Sequence, residues 1–257
     1  MKNPLSRLWV IIPLFAVLAA GCASLRKTPQ LSSNLPFGII SLVSNRDIYW
    51  HGEGPQNSRN SPNPEKAKYS KADQLINDAD EILWNLFLKT FITAYDGKNL
   101  LVESEAYANG GIDRRLNNDN NVIASGYRYI NYRDKEFAAN LAQERGVKGG
   151  VYITFNFSKK MASGVGKYGS FRAAVDMQVL IVNEEGNVIY RKTRSRESDE
   201  KISVSFGVYN NEELMELFRI TIEELYLEYL AELDPNNPFF GPPQEGIIPV
   251  VPTGSPF

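Results

Sequence analysis

The sequence contains almost no cysteine or histidine, which limits the chemistry that the chain can carry out. Its single cysteine allows neither an internal disulfide nor a paired-cysteine metal site, and its single histidine leaves little material for a histidine-based metal centre. Positive charge is not in excess either, since 28 Lys and Arg face 30 Asp and Glu. A nucleic-acid binder would be basic, so we expect no nucleic-acid partner. The composition, 43% hydrophobic and 23% charged, is that of a globular protein.

A hydrophobic run long enough to span a membrane is also lacking. The most apolar segment, Leu8 to Ala20, has 13 residues, whereas a membrane-spanning helix needs about 20. Lys2 and Arg7 precede this run and small residues follow it. This layout is typical of an export signal, and we interpret residues 1–21 as a signal peptide.

The only cysteine follows the small residues directly. The segment Leu18 to Cys22 reads L-A-A-G-C and resembles the lipobox of bacterial lipoproteins. The resemblance implies cleavage between Gly21 and Cys22, a diacylglyceryl thioether on the Cys22 sulfur and acylation of the freed amine. The alternative is an ordinary cleaved signal followed by an incidental cysteine. We predict no cofactor beyond this covalent lipid.

Two or more acyl chains give stable membrane anchoring, so the lipid alone would attach the chain to a membrane. Ala23 follows the cysteine where an Asp would favour retention in the inner membrane, and by resemblance to lipoprotein sorting this favours the outer membrane of the cell envelope. The side of that membrane stays open. Removal of Lys2 and Arg7 would leave 26 cations against 30 anions in the mature chain.

The mature chain divides into a tether, a folded domain and a tail. Residues 22–35 are a short polar tether, residues 36–234 are predicted to form one α/β domain, and residues 235–257 hold seven of the 14 prolines. Such a proline content excludes a helix or an inner strand, so we expect an extended tail.

Within the domain, the hydrophobic periodicity predicts a mixed sheet, three main helices on it, and a C-terminal β-meander followed by a helix. Residues 52–69 are predicted to be a loop, and 104–134 have no clear pattern. The predicted elements are a strand Phe37–Val43, a helix from Ser70 to about Tyr95, a short strand Asn99–Glu103, a helix Lys135–Arg145 stopped by Gly146, strands Val151–Phe157 and Phe171–Ile181, a polar hairpin partner Val188–Arg196 after a turn at residues 184–187, and a helix Asn211–Leu233.

The second half resembles the small α/β domains of bacterial envelope lipoproteins of the CsgG, LpoB and TolB N-terminal kind. The resemblance covers roughly residues 135–230 and lies in the order of elements: a helix ending at Gly146-Val147, a strand Gly150 to Phe157, a strand Asp176 to Asn183, a turn at Glu185-Gly186 and a strand Val188 to Tyr190. It implies a scaffold or regulator that binds partners, and no functional residue is carried over.

Two segments are candidate partner contacts. Gly164, Gly166 and Gly169 satisfy G-x-G-x-x-G, but a strand rather than a helix is predicted to follow, so we interpret them as a flexible link between adjacent strands and not as a dinucleotide site. The alternative is that the segment Met161 to Phe171 folds over a partner or inserts into a membrane. Tyr49, Trp50 and His51 could form a contact patch, with core packing as the alternative.

The sequence therefore favours a lipid-anchored envelope protein that binds another envelope protein and is not an enzyme. A hydrolytic or glycan-acting enzyme using His51 is an alternative, although no nucleophile elbow accompanies this histidine. An oligomeric membrane-associated assembly built on the glycine-rich segment is another.

Overall fold

A mixed sheet, with eight strands among the described residues, forms the centre of the protein and has helices on both of its faces. The structure is a computed structural model that describes residues 37–50, 72–90, 94–95, 103–165, 168–206 and 208–232. The elements in chain order are β1 (Phe37–Asn45), β2 (Tyr49–Trp50), α1 (Asp73–Thr90), β3 (Ala94–Tyr95), α2 (Glu105–Asn109), β4 (Asn121–Ile123), α3 (Lys135–Arg145), β5 (Gly149–Val165), β6 (Tyr168–Asn183), β7 (Val188–Glu197), β8 (Ile202–Val204) and α4 (Asn211–Glu232).

The strands follow the order β3-β1-β5-β6-β7. Strands β3, β1 and β5 are parallel, and β6 and β7 continue from β5 as antiparallel neighbours. Three short strands extend this path: β2 runs parallel to β5, β4 antiparallel to β1, and β8 antiparallel to β6. The predicted α/β domain with a mixed sheet is therefore confirmed.

The larger core lies between one face of the sheet and helices α1 and α4. Helix α4 presents Leu214, Phe218, Ile222, Leu225 and Tyr229, which are all buried and recur at steps of three and four residues, as predicted. Phe218 packs edge-on against Phe157, and Tyr226 packs edge-on against Phe155. Because apolar residues alternate along β5 and β6, one face of this hairpin closes the core.

A smaller core covers the opposite face. It consists of Ile40, Tyr107, Ile130, Phe137, Leu141 and Val147, from β1, α2, α3 and their connections. Strand β1 contributes to both cores, with Ile39 in the larger and Ile40 in the smaller one. All nine residues of β1 are buried, which explains why its apolar residues do not alternate with exposed polar ones.

Helix α3 has the predicted boundaries. The Asp134 carboxylate accepts a hydrogen bond from the Phe137 amide at 2.9 Å and caps the first turn. Gly146 ends the helix with a left-handed φ of 69° and donates its amide proton to the Ala142 carbonyl.

The predicted end of the first helix is wrong. Helix α1 ends at Thr90, and Ala94–Tyr95 is a strand that pairs with Phe37 and Gly38. The apolar spacing of this segment fits a helix as well as a strand, and the backbone pairing with β1 decides between them. Ser70 and residues 99–102 of the predicted short strand lie outside the described residues. Glu103, the last residue of that predicted strand, lies in a turn.

Most of the predicted glycine-rich link is strand. Strand β5 continues to Val165 and β6 begins at Tyr168, with these two residues paired, so the described residues predicted to connect two strands, Gly164 and Gly169 included, belong to the strands themselves. Backbone pairing across a hairpin does not require alternating apolar side chains. The polar residues of this segment therefore give no strand pattern in the sequence. The prediction also lacked β8, and the unassigned stretch 104–134 contains α2 and β4.

The remaining predicted segments lie outside the described residues. These are the signal peptide 1–21 with Gly21 and Cys22, the tether 22–35, the loop 52–69 and the tail 235–257.

Candidate functional site

The β5–β6 hairpin continues beyond the main sheet. Strand β1 pairs with β5 up to Phe155, and β2 pairs with it only at Ser158 and Lys159. Farther along, the neighbour seen among the described strands is β8, which pairs with β6 over Gly169 to Phe171. The end of the hairpin is therefore held by fewer strands than the rest of the sheet.

Two glycines allow the strands to approach at the hairpin end. Gly164 and Gly169 are paired and have φ angles of 102° and 143°, which L side chains rarely adopt. A Cβ atom at Gly164 would collide with the Tyr168 carbonyl, and one at Gly169 would collide with the Ser163 carbonyl. Only glycine fits both positions without moving the backbone.

Four large apolar side chains are exposed around this end: Met161, Tyr168, Phe206 and Val208, here called the apex patch. Their exposed fractions are 43%, 51%, 72% and 73%, and they are half of the eight exposed large hydrophobic residues in the described part of the chain. The rings of Tyr168 and Phe206 meet edge-to-face at 4.9 Å between centroids. Exposed apolar residues occur singly on most proteins, so the direct contact between these two exposed rings is the feature that indicates an interaction site.

Phe206 is held in a strained conformation. Its φ of 53° is left-handed, which no other non-glycine residue of the described chain shows and which an L residue adopts at a penalty of about 1 kcal/mol. The turn around it is closed by two hydrogen bonds, from the Ser205 amide to the Val208 carbonyl and from the Val208 amide to the Ser205 carbonyl. The fold thus maintains an unfavourable conformation that leaves an aromatic ring in water.

A buried lysine lies between two aromatic rings, two residues before Met161 in β5. Lys159 is 5% exposed, and its ammonium lies 5.3 Å from the Trp50 ring centroid and 5.2 Å from that of Tyr209. Its Nζ also donates to the Tyr209 hydroxyl at 3.2 Å. Phe171 contacts both rings edge-on. Cation–π contacts of this kind stabilise a desolvated ammonium. Together with the Phe171 ring contacts they connect β2, β5, β6 and the segment that precedes α4.

The predicted contact residues separate in the structure. Gly164 and Gly169 lie beside the apex patch, whereas Tyr49 is buried and Trp50 is partly buried against the larger core, as the core-packing alternative has it. His51 and Gly166 lie outside the described residues. Because β6 and not a helix follows the glycines, the dinucleotide interpretation fails.

Phe206 and Val208 have no signal in the sequence analysis. They lie in a short segment between β8 and α4, and neither strand periodicity nor a helix pattern includes them. An aromatic residue beside Gly207 in a short turn is the feature that could have indicated them.

An acidic cleft of about 750 Å³ lies between α2 and α3. Its acids include Asp134, which caps α3, and Glu144, which accepts hydrogen bonds from Ser104 Oγ and from the amides of Glu105 and Ala106. The Ala106 amide contributes most to holding the pKa of Glu144 below its usual range. These carboxylates organise the ends of the two helices.

Within the described ranges, no group of three or more His, Cys, Asp or Glu side chains is arranged to hold a metal ion. Among the helices that the structure describes, none has the length and apolarity to cross a membrane.

Comparison with known proteins adds no family. No family model matches the chain, and no curated protein matches it.

Proposed function

We propose that this chain is a lipid-anchored protein of the bacterial cell envelope whose α/β domain binds another envelope protein through the apex patch. The observation that carries the proposal is the strained, 72% exposed Phe206 within a group of exposed apolar side chains. Anchoring rests on the segment Leu18 to Cys22 of the sequence.

The composition of the apex patch supports a protein partner. Aromatic residues and methionine are enriched at protein interfaces, and binding energy concentrates in a few such side chains that enter pockets. Tyr168 and Phe206 form a preassembled ring pair, so little side-chain freedom is lost when a partner covers them. Backbone strain that the surrounding fold maintains occurs preferentially at functional positions.

The anchoring half is tested by the Cys22→Ser form. We expect the native protein to fractionate with membranes and the variant to be released, because serine cannot replace the thiolate that takes the lipid. Equal release of both forms from membranes would refute lipid anchoring.

The binding half is tested by crosslinking in intact cells from a photoreactive residue at position 205, followed by mass spectrometry. The informative variant is Phe206→Asn, because asparagine tolerates a left-handed φ and keeps the turn while removing the ring. We expect at least a tenfold loss of the crosslinked partner and an unchanged or raised melting temperature. The control Leu227→Ser removes another exposed apolar residue, 48% exposed on α4, and should keep the crosslink.

A partner captured equally by the Phe206→Asn protein would show that the apex patch is not the binding site. If only self-crosslinks formed, the partner would be a second copy of this chain and not another envelope protein.

A further inference from the structure

The apex patch and the start of the folded domain lie at opposite ends of the sheet. Phe37, the first residue of β1, pairs with Gly149, the first residue of β5. The patch lies at the other end of β5, where Val165 pairs with Tyr168 and Met161 is four residues from the end of the strand. The 17 residues of this strand, at about 3.3 Å each, separate the two ends by about 50 Å.

The tether from the anchor is short compared with this distance. Cys22 and Phe37 are 15 residues apart in the sequence. A flexible chain of this length has an average end-to-end distance of about 20 Å, and full extension gives about 50 Å. An anchored domain with its apex towards the membrane would therefore hold the tether at full stretch, which is entropically unfavourable.

The charges beside the apex patch do not favour an anionic lipid surface. Lys160 forms an ion pair with Glu197 at 2.5 Å, and the Arg172 guanidinium donates hydrogen bonds to the carbonyls of Ser198 and Asp199. Glu212 and Glu213, at the start of α4 beside this end of the sheet, are exposed. Binding to anionic lipids requires a cluster of free cations. Among the described residues at this end, Lys160 and Arg172 are engaged within the protein, and one exposed cation, Lys201, is accompanied by the two exposed acids of α4; Lys167 lies outside the described residues.

We propose that the apex patch binds a protein held outside the bilayer that carries the Cys22 lipid, because the patch lies at the end of the sheet opposite to Phe37, where the chain from Cys22 enters the domain. The inference rests on the proposed function. Its partner offers an apolar pocket that receives the ring pair of Tyr168 and Phe206.

The test measures how close each end of the sheet comes to lipid. The full lipidated chain is reconstituted in vesicles of phosphatidylethanolamine and phosphatidylglycerol that contain acceptor-labelled lipids. In the lipidated chain the Cys22 sulfur is a thioether, so Ser205→Cys supplies a single free thiol for a donor dye and leaves all four residues of the apex patch in place. The matched control is Glu185→Cys, an exposed position in the turn after β6, at the base of the sheet.

We expect energy transfer to the labelled lipids from a donor at position 185 and none from a donor at position 205. Equal transfer from both positions would mean that the domain lies against the bilayer, and this would overturn the inference. A lipid adduct as the main product of crosslinking from position 205 would overturn it as well.

These outcomes separate the inference from the function on which it rests. A captured protein together with strong transfer from position 205 would overturn the inference alone. Transfer from neither position, with the chain absent from the vesicles, would refute anchoring and the inference together.

Discussion

Two buried tyrosines have opposite hydrogen-bonding situations. The Tyr107 hydroxyl donates to the Ile40 carbonyl at 3.0 Å and accepts from the Arg128 amide at 2.7 Å. The Tyr226 hydroxyl, in the larger core, has no hydrogen-bond partner among the described residues. The same substitution to phenylalanine therefore has different consequences at the two positions.

We expect Tyr107→Phe to lower the free energy of unfolding by about 1–3 kcal/mol, because it leaves a buried carbonyl and an amide without their partner. Tyr226→Phe should leave the free energy of unfolding unchanged or raise it slightly, because it removes a buried hydroxyl that has no hydrogen-bond partner among the described residues. Urea unfolding at neutral pH measures both. Equal losses from the two variants would contradict this assignment.

Tyr107 also makes the stability of the fold sensitive to high pH. Burial raises the pKa of Tyr107 to about 12 from its usual 10. The folded state then holds a proton that the unfolded chain releases, so this contribution to stability is complete below pH 10 and is lost as the pH rises towards 12. Between these pH values, the stability of the native protein should fall more steeply than that of Tyr107→Phe.

Individual residues of the site were the least predictable part from sequence. The glycines at 164 and 169 were recognised by their spacing, but the positive φ angles that require them depend on the pairing of β5 with β6. Phe206 was missed because its exposure results from a turn between β8 and α4, and β8 exists only through its pairing with β6.

At the level of elements, the proposed function depends most directly on the close approach of β5 and β6 at the hairpin end. We expect Gly164→Ala to open this end of β5 and β6, because the new methyl group would collide with backbone atoms that cannot move separately. Hydrogen exchange at the amides of residues 161–170 should accelerate, and crosslinking from position 205 should fall.

Gly146→Ala is the matched control for backbone strain. Gly146 also has a positive φ, but a Cβ atom there meets nothing within 4 Å. We expect a loss of about 1 kcal/mol in the free energy of unfolding from the left-handed conformation alone, with unchanged exchange at the hairpin. Unchanged exchange in the Gly164→Ala protein would refute the close approach of the two strands.

Elements with strong local signals were predicted well and those made by pairing were not. Gly146 predicts the end of helix α3 from the sequence itself, because a left-handed stop is a local feature, and the structure adds the Asp134 cap at its start. Strand β5 extends through Lys159, Lys160 and Ser163, which no strand pattern includes. Its length is determined by the partner strand and not by its own side chains.

For the whole molecule, the change from helical to strand periodicity was sufficient to predict a mixed α/β sheet. It could not show how the two faces are covered. Ile39 and Ile40 are neighbours with the same side chain, yet they pack into different cores because helices from distant parts of the chain lie on each face of β1.

Because β1 contributes to both cores, we expect them to unfold together. Phe137, 4% exposed, lies in the smaller core, and Phe218, fully buried, in the larger one. Substitution of either by alanine should lower the free energy of unfolding by about 3–5 kcal/mol. Each variant should keep a single unfolding transition, with the same midpoint by circular dichroism in the far and near ultraviolet.

The control Ile220→Ala, at an exposed position of α4, should change the free energy of unfolding by less than about 0.5 kcal/mol. Two separate transitions in Phe137→Ala would mean that α2 and α3 can leave the sheet while the larger core, and with it the apex patch, stays folded.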